Sequence, residues 1–267
     1  MLGLGKVSKI VFDRSVLPFM PIEKIELDGT TIDLSRNTVI AHSPSIGVPL
    51  EALGFFAFHY SASNVACRFG KPKYMVTGIY LPLKTSEKDL KIISESLGKE
   101  AYKYGVKIIA GQTATYFGLK IPLITSTCFG EQVRLPVKPE PGDRLLIVGD
   151  VGGEGVWLDS ISRGKNDIEW IKFTPLPIAL DLQSCKDVKI MHDVSEGGVK
   201  GALYEIVESL NIGIEIESNR IKYADGVKEQ DSDPLRAPSY GALVLVTSKV
   251  GVGKVKEICD SAGYSFS

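Results

Sequence analysis

Two adjacent glycines, Gly197 and Gly198, sit between a short apolar run and an amphipathic segment, and this corner constrains the fold more than any other stretch. The full octet reads His192-Asp193-Val194-Ser195-Glu196-Gly197-Gly198-Val199. Val188, Ile190 and Met191 before it suit a strand, and Val199, Leu203, Ile206 and Leu210 after it fall on one helical face. A strand turning tightly into a helix is the repeating unit of α/β architecture. Glycines let a backbone approach a ligand closely, and the first amides of a helix point outward unpaired. Such a turn can hold phosphate, and Asp193 can hold a cation bound to that phosphate. The same residues equally suit a plain strand-to-helix turn with Ser195 as its N-cap.

The rest of the chain alternates in the same way. Pro136-Val137-Lys138-Pro139-Glu140-Pro141-Gly142-Asp143 cannot continue a helix or a central strand. It divides the chain into domains 1–136 and 137–267. In the first, Asn37 to Ala41 reads as a strand leading into a Pro/Gly loop at His42 to Gly47. Leu50 to Phe69 reads as a buried helix closed by Gly70 and Pro72, and Tyr74 to Leu83 as a strand. Ser86 and Asp89 form a capping-box pair ahead of a helix whose stripe is Leu90, Ile93, Leu97 and Ala101, stopped by Gly105. Val106 to Ala110 reads as a strand ending at Gly111-Gln112-Thr113, and Ile121 to Gly130 as another. The second domain opens with a strand at Arg144 to Val148 and a glycine-rich turn through Gly155. Strands follow the octet's helix at Gly213 to Glu217 and Gly241 to Thr247, then a helix at Val252 to Ala262. The last five residues read as the start of a further strand, so the expectation is either a truncated C-terminus or a naturally short chain.

Bulk chemistry removes some functions. A formal net charge of −1 gives no electrostatic reason to expect nucleic acid or a membrane surface as partner. No apolar run reaches the roughly 18 residues a span needs. The four cysteines, Cys67, Cys128, Cys185 and Cys259, are too far apart for a zinc knuckle or a disulfide framework, so a reducing cytoplasmic setting is expected.

Several landmarks then fall in a recognisable order. They are Ser63-Asn64-Val65-Ala66 with Gly70-Lys71-Pro72, then Gly111-Gln112-Thr113, Pro141-Gly142-Asp143, the octet, and Asp233-Pro234-Leu235 with Ser239-Tyr240-Gly241-Ala242-Leu243. Together they resemble the ATP-binding superfamily of aminoimidazole ribonucleotide synthetase (PurM), which includes the hydrogenase-maturation factor HypE and thiamine-monophosphate kinase. The resemblance implies a two-domain PurM-like α/β fold. Its N-terminal sheet pairs with that of a second copy as a dimer β-barrel, and its C-terminal part is an α/β sandwich. It implies a homodimer that binds ATP with Mg²⁺ and activates a carbonyl-type or amide oxygen by phosphoryl transfer, on a small-molecule or maturation-protein substrate. By the same resemblance, Asn64, Gly111, Gln112, Thr113, Ser195, Gly197 and Gly198 bind ATP and Asp193 holds the metal.

The departures from the family pattern bear on that expectation. Carboxylates that hold metal and phosphate in relatives are replaced by His42-Ser43, Asn64 and Gln112. Mg²⁺ wants anionic oxygen, so these changes weaken its expected hold. A non-catalytic nucleotide- or metabolite-binding paralogue is therefore the alternative. Hydrogenase-maturation relatives also end in a cysteine that receives the substrate group, and this chain ends at Ser267. His42 reads either as a metal-binding imidazole or as a hydrogen-bonded structural residue. His59 reads as a satisfied core or interface residue. Lys6 and Arg14 read as solvated charges or as an arm near phosphate.

Overall fold

The structure, a computed structural model, describes residues 5–6, 9–22, 37–165, 169–230 and 233–267. The chain forms two compact units. One is Met1–Val65 with Gly70–Gln132, the other Ala66–Phe69 with Val133–Ser267.

The first unit is a five-stranded sheet, ordered β1-β4-β3-β5-β2, with helices on one face. Its strands are β1 (Gly5–Lys6), β2 (Thr38–Ile46), β3 (Gly70–Pro82), β4 (Lys107–Tyr116) and β5 (Leu123–Gln132). Only β3 and β4 run parallel. The helices are α1 (Lys9–Ser15), α2 (Leu50–Cys67) and α3 (Glu87–Lys103). Apolar residues occur on every side of α2, as suits a largely covered helix, and Leu53, Phe56, Phe58 and Val65 are buried. It crosses α3 closely: a Cβ on Gly54 would lie 2.4 Å from Ile93 O, so only glycine permits the approach. The expected α3 stripe of Leu90, Ile93, Leu97 and Ala101 is buried, and the Ser86–Asp89 capping box forms in both directions. Ser86→Ala should cost about 1 kcal/mol, read as a lower denaturant midpoint by far-UV circular dichroism.

The three largest boundary differences from the sequence expectation involve β2, β3 and β4. First, β2 continues through His42 to Ile46 instead of breaking into a loop. Pro44 is tolerated there because β2 is an edge strand, where a missing N–H need not break the ladder. Second, β3 begins at Gly70 rather than Tyr74. Phe69, at φ 57°, turns the chain out of α2 directly into the strand. Third, β4 does not end at Gly111 but carries Gly111, Gln112 and Thr113 in its middle. Gly111 serves the sheet itself, since a Cβ would sit 2.4 Å from Thr77 O on β3. Among the described residues the sheet is open, with β1 and β2 at its edges, and is not a closed barrel.

The second unit has a three-stranded antiparallel sheet, β6 (Arg144–Val148), β7 (Val188–Asp193) and β8 (Leu243–Thr247), ordered β6-β8-β7. Its helices are α4 (Gly153–Ser162), α5 (Leu176–Leu182), α6 (Gly198–Leu210), α7 (Val227–Gln230) and α8 (Val252–Ala262). Central β8 is buried on both faces. Val244 and Val246 join a core with Val199, Ala202 and Ile206 of α6, leaving Leu243 and Leu245 to the opposite face. The strand expected at 213–217 does not form. Ile212, Ile214 and Ile216 alternate as a strand would, but they pack against that core without a ladder partner among the described residues. The last residues do pair: Phe266 bridges Val148, and Ser267 exchanges both backbone bonds with Ile147. No helix of the described residues is long and apolar enough to cross a membrane.

Candidate functional site

In the second unit, three glycine-bearing loops are stitched together at one end of the sheet. They follow β6 (149–155), follow β7 (193–198) and precede β8 (233–242). Gly155 N donates to Pro238 O at 2.9 Å, Val194 N to Ala242 O at 3.1 Å and Ser239 N to Ser195 O at 3.4 Å. Side chains complete the knot. Ser239 Oγ accepts from Gly152 N at 2.8 Å, and buried Glu154 accepts from Tyr240 N at 2.8 Å. Lys200 on α6 pairs with Asp233, whose carboxyl is held below its ordinary range first by that hydrogen bond and then by nearby charge from Lys200 and Arg236.

Within this knot Asp193 is the last residue of β7, half-buried. Burial pushes its carboxyl above the usual value; the charge of His192 opposes this and that of Glu205 adds to it. His192 Nε2 meets Glu205 Oε2 at 2.6 Å. The Cys67 thiol lies beside Asp193, and burial together with that carboxylate pushes it well up, so it is an inert thiol rather than a nucleophile. Ser195 and Gly197 are exposed, while Gly198 is buried at φ 61°. Ser195 is not the helix cap. Gly197 occupies that position and no side chain caps α6; the Ser195 carbonyl instead accepts from Gly198 N at 2.9 Å. The Ser195 hydroxyl thus remains at the surface beside the first turn of α6.

In the first unit the strand register sorts the remaining residues. Ser43, Ser126, Thr77 and Gly111 form one row across the helix-covered face, and Ser45, Ile124, Ile79 and Thr113 the next. Asn64 on α2 donates to Ser43 Oγ at 3.4 Å, so two of the positions where relatives are expected to carry acids meet as a neutral amide–hydroxyl pair. Gly111 and Thr113 lie three strands away on the same face, roughly 14 Å at ordinary strand spacing. Gln112 belongs to the opposite face, where its side chain bonds Tyr116. His42 is also on that opposite face, its Nδ1 2.8 Å from Thr127 Oγ1, so His42 and Ser43 cannot serve one site. His59 is fully buried with Nε2 3.0 Å from Glu100 Oε2, a satisfied core pair. Arg14 is committed to Glu87; the Lys6 side chain lies outside the described residues.

The buried hydroxyls Ser126 and Thr77 extend the polar row from Ser43 toward Gly111, and sequence reading does not single them out. Nor does it single out Glu154 and Ser239 as fasteners of the second unit's loops. Their signal was weak: one acid in the first turn of a helix and one hydroxyl before a strand.

Comparison with known proteins places these geometries. The N-terminal domain profile of AIR synthase related protein matches residues 27–132, and the C-terminal domain profile matches residues 140–267. Carbamoyl dehydratase HypE of Bradyrhizobium diazoefficiens is 26% identical over 220 residues, covering 76% of this chain and 63% of that protein. The chain thus spans less than two thirds of that relative. Thiamine-monophosphate kinase of Pyrococcus horikoshii is 27% identical over 232 residues, covering 79% of this chain and 70% of that one. A crystal structure of HypE in complex with ATP superposes with a TM-score of 0.77 at 20% identity, covering 94% of this chain and 78% of the other.

Proposed function

We infer that this chain, which belongs to the AIR synthase related protein family, binds ATP and uses it to activate a carbonyl-type or amide oxygen by phosphoryl transfer. The observation that carries this reading is that both halves of the chain match the family. Its similar relatives, a carbamoyl dehydratase and a thiamine-monophosphate kinase, share the fold but not the acceptor. Phosphoryl transfer asks the protein mainly for positioning and for charge stabilisation, which a rigid set of loops can supply to different acceptors. We assign the ATP contacts to Asn64, Gly111, Gln112 and Thr113 in the first unit and to Ser195, Gly197 and Gly198 in the second. Ser195 and the amides of the first α6 turn are the best-placed phosphate donors. The Gln112 side chain is turned to the other face of the sheet, so its assignment is to the backbone between Gly111 and Thr113. The acceptor is a small molecule or a maturation protein. The four free, buried cysteines suit a reducing cytoplasm.

Magnesium does not fit the described side chains as a protein-held ion. They contain no group of three or more His, Cys, Asp or Glu that could hold a metal. Asp193 is a single carboxyl that burial makes easier to protonate, and the Ser43–Asn64 pair carries no charge. That neutral pair also favours the second reading, a paralogue that binds nucleotide or metabolite without turnover.

Isothermal titration tests the first reading: heat at millimolar ATP supports it, and its absence removes it. Asn64→Asp separates the two readings. An added carboxylate within reach of a phosphate-bound cation is worth on the order of 1–2 kcal/mol, so affinity for ATP with magnesium should rise about tenfold. Unchanged affinity and hydrolysis would mean that the missing charge was never limiting.

We also propose a homodimer through the face of the five-stranded sheet that none of the described helices covers. Ile40 (58% exposed) and Ile46 (49%) stand out from it, and the described residues around them on β2 and β5 carry no fixed charge until Glu131. Two copies of this face can meet without like-charge repulsion.

A further inference from the structure

We propose that the open edge of β6 is a docking site for an extended strand of a partner protein, in which apolar side chains alternate with basic ones. The site lies in the second unit, apart from the glycine turns. The 193–198 turn precedes α6, and the groove described here follows it.

The two edges of the three-stranded sheet are treated differently. The β7 edge is covered: Val137 N donates to Lys189 O at 2.9 Å, and Arg134 donates to Val188 O at 2.7 Å. The β6 edge is covered only in its second half. There Gly149 N donates to Ser265 O at 2.9 Å, and Ile147 exchanges both backbone bonds with Ser267. Alternation along a strand fixes the next position. Leu145 presents its N–H and C=O on the same side as Ile147, and no backbone partner meets them among the described residues. Unpaired edge groups of this kind are a template for another strand.

Facing that edge is the segment 212–217. A groove of about 1350 Å³ lies between them, walled mainly by two consecutive runs of chain, 139–147 and 211–217. Gly213, Ile214, Glu215 and Ile216 make no backbone hydrogen bond among the described residues. Ile212, Ile214 and Ile216 pack against the core but stay half-buried. An entering strand would meet unpaired backbone groups in both walls and would cover apolar surface with one of its faces.

The chemistry of the occupant follows from what the groove already holds. Phe266 bridges Val148 in antiparallel sense, so extended backbone fits this edge, and an entering strand continues the same line toward Leu145. Ser267 Oγ, in the lining, is buried and makes no hydrogen bond. In strand addition, main-chain bonds supply affinity and alternate side chains supply selectivity. The isoleucines call for apolar residues on the inner face. The lining acids Glu140, Asp143, Glu215 and Glu217 outnumber Arg144 and Arg220. Lys189, shared by Glu140 and Asp143, still leaves the rim acidic, which favours basic residues on the outer face.

Fluorescence anisotropy on the whole chain tests this with a labelled octapeptide of alternating valine and lysine. The expected result is saturable binding. N-methylation of alternate peptide amides, or Leu145→Pro, should weaken it at least about tenfold, because each deletes ladder donors. Proline suits an edge position whose N–H bonds nothing in the sheet. Amide exchange on the unaltered chain needs no variant: saturating peptide should slow exchange at Leu145 at least about tenfold. An octapeptide of alternating valine and glutamate should bind at least about fivefold more weakly. No saturation at millimolar peptide, equal binding of the N-methylated peptide, binding unchanged by Leu145→Pro, or an unprotected Leu145 amide overturns the site. Equal affinity for the glutamate peptide overturns the basic partner. Self-association that the peptide displaces in sedimentation would seat a second copy in the groove and overturn the partner strand.

Discussion

Gly198→Ala is expected to lower the stability of the second unit by about 3 kcal/mol and to weaken nucleotide binding with it. Two costs combine. At φ 61° a non-glycine residue loses roughly 1–2 kcal/mol. The new Cβ would also lie 2.4 Å from Leu235 O and 2.8 Å from Ala237 O, which are backbone atoms with no rotamer to escape into. The loop at 233–237 must retreat, at a cost of about 1–3 kcal/mol for overpacking. That retreat loosens Asp233 from Lys200 and moves Ser239 relative to Ser195. The chain's two tryptophans, Trp157 and Trp170, both belong to the second unit, so fluorescence-detected denaturation reports on that unit alone. Gly201→Ala on the same helix is the control. Nothing lies within 4 Å of its added Cβ, so stability should hold or rise by up to about 1 kcal/mol. Equal behaviour of the two variants would mean that the Gly198 turn is not under this constraint.

Arg134→Ala should be comparably damaging. The guanidinium donates to three backbone carbonyls, Gln183 O at 3.3 Å, Cys185 O at 3.1 Å and Val188 O at 2.7 Å. It also lies 3.5 Å above the centroid of the Phe69 ring. Gln183 in turn donates to Ala66 O at 3.1 Å, so this one side chain and its partners tie the 66–69 segment to the approach to β7. Charge-assisted hydrogen bonds are each worth about 1.5–3 kcal/mol, and half-buried carbonyls left without donors add to the loss. A total of about 3–4 kcal/mol follows, read again by tryptophan fluorescence. Arg134→Lys should recover less than half of it, because an ammonium cannot reproduce the planar fork or the ring stacking. Full recovery with lysine would show that charge rather than geometry is what matters there.

Both sites show how far local patterns carried. Local signals were sufficient wherever one short range of interactions decides the outcome. The α3 stripe and its Ser86–Asp89 cap, the β6 strand and the α8 helix all follow from periodicity and capping, and all formed as read. The landmarks also placed the chain in its family, because their order along the chain survives at low identity.

Strand ends were decided by partners instead. Pro44 and Gly111 read as breakers, yet β2 and β4 run through both: one lies on a sheet edge, and the other is needed for close approach to Thr77. The isoleucines at 212, 214 and 216 read as a strand but find no strand to pair with among the described residues. The same dependence governs the candidate site. Residue types and their order along the chain were legible from the sequence alone. Which face each residue occupies was not, since a side chain's face is set by register and one position reverses it. Tertiary pairing therefore set Ser43 against Asn64, turned His42 and Gln112 to the other side, and made Gly198 a packing requirement as well as a ligand candidate.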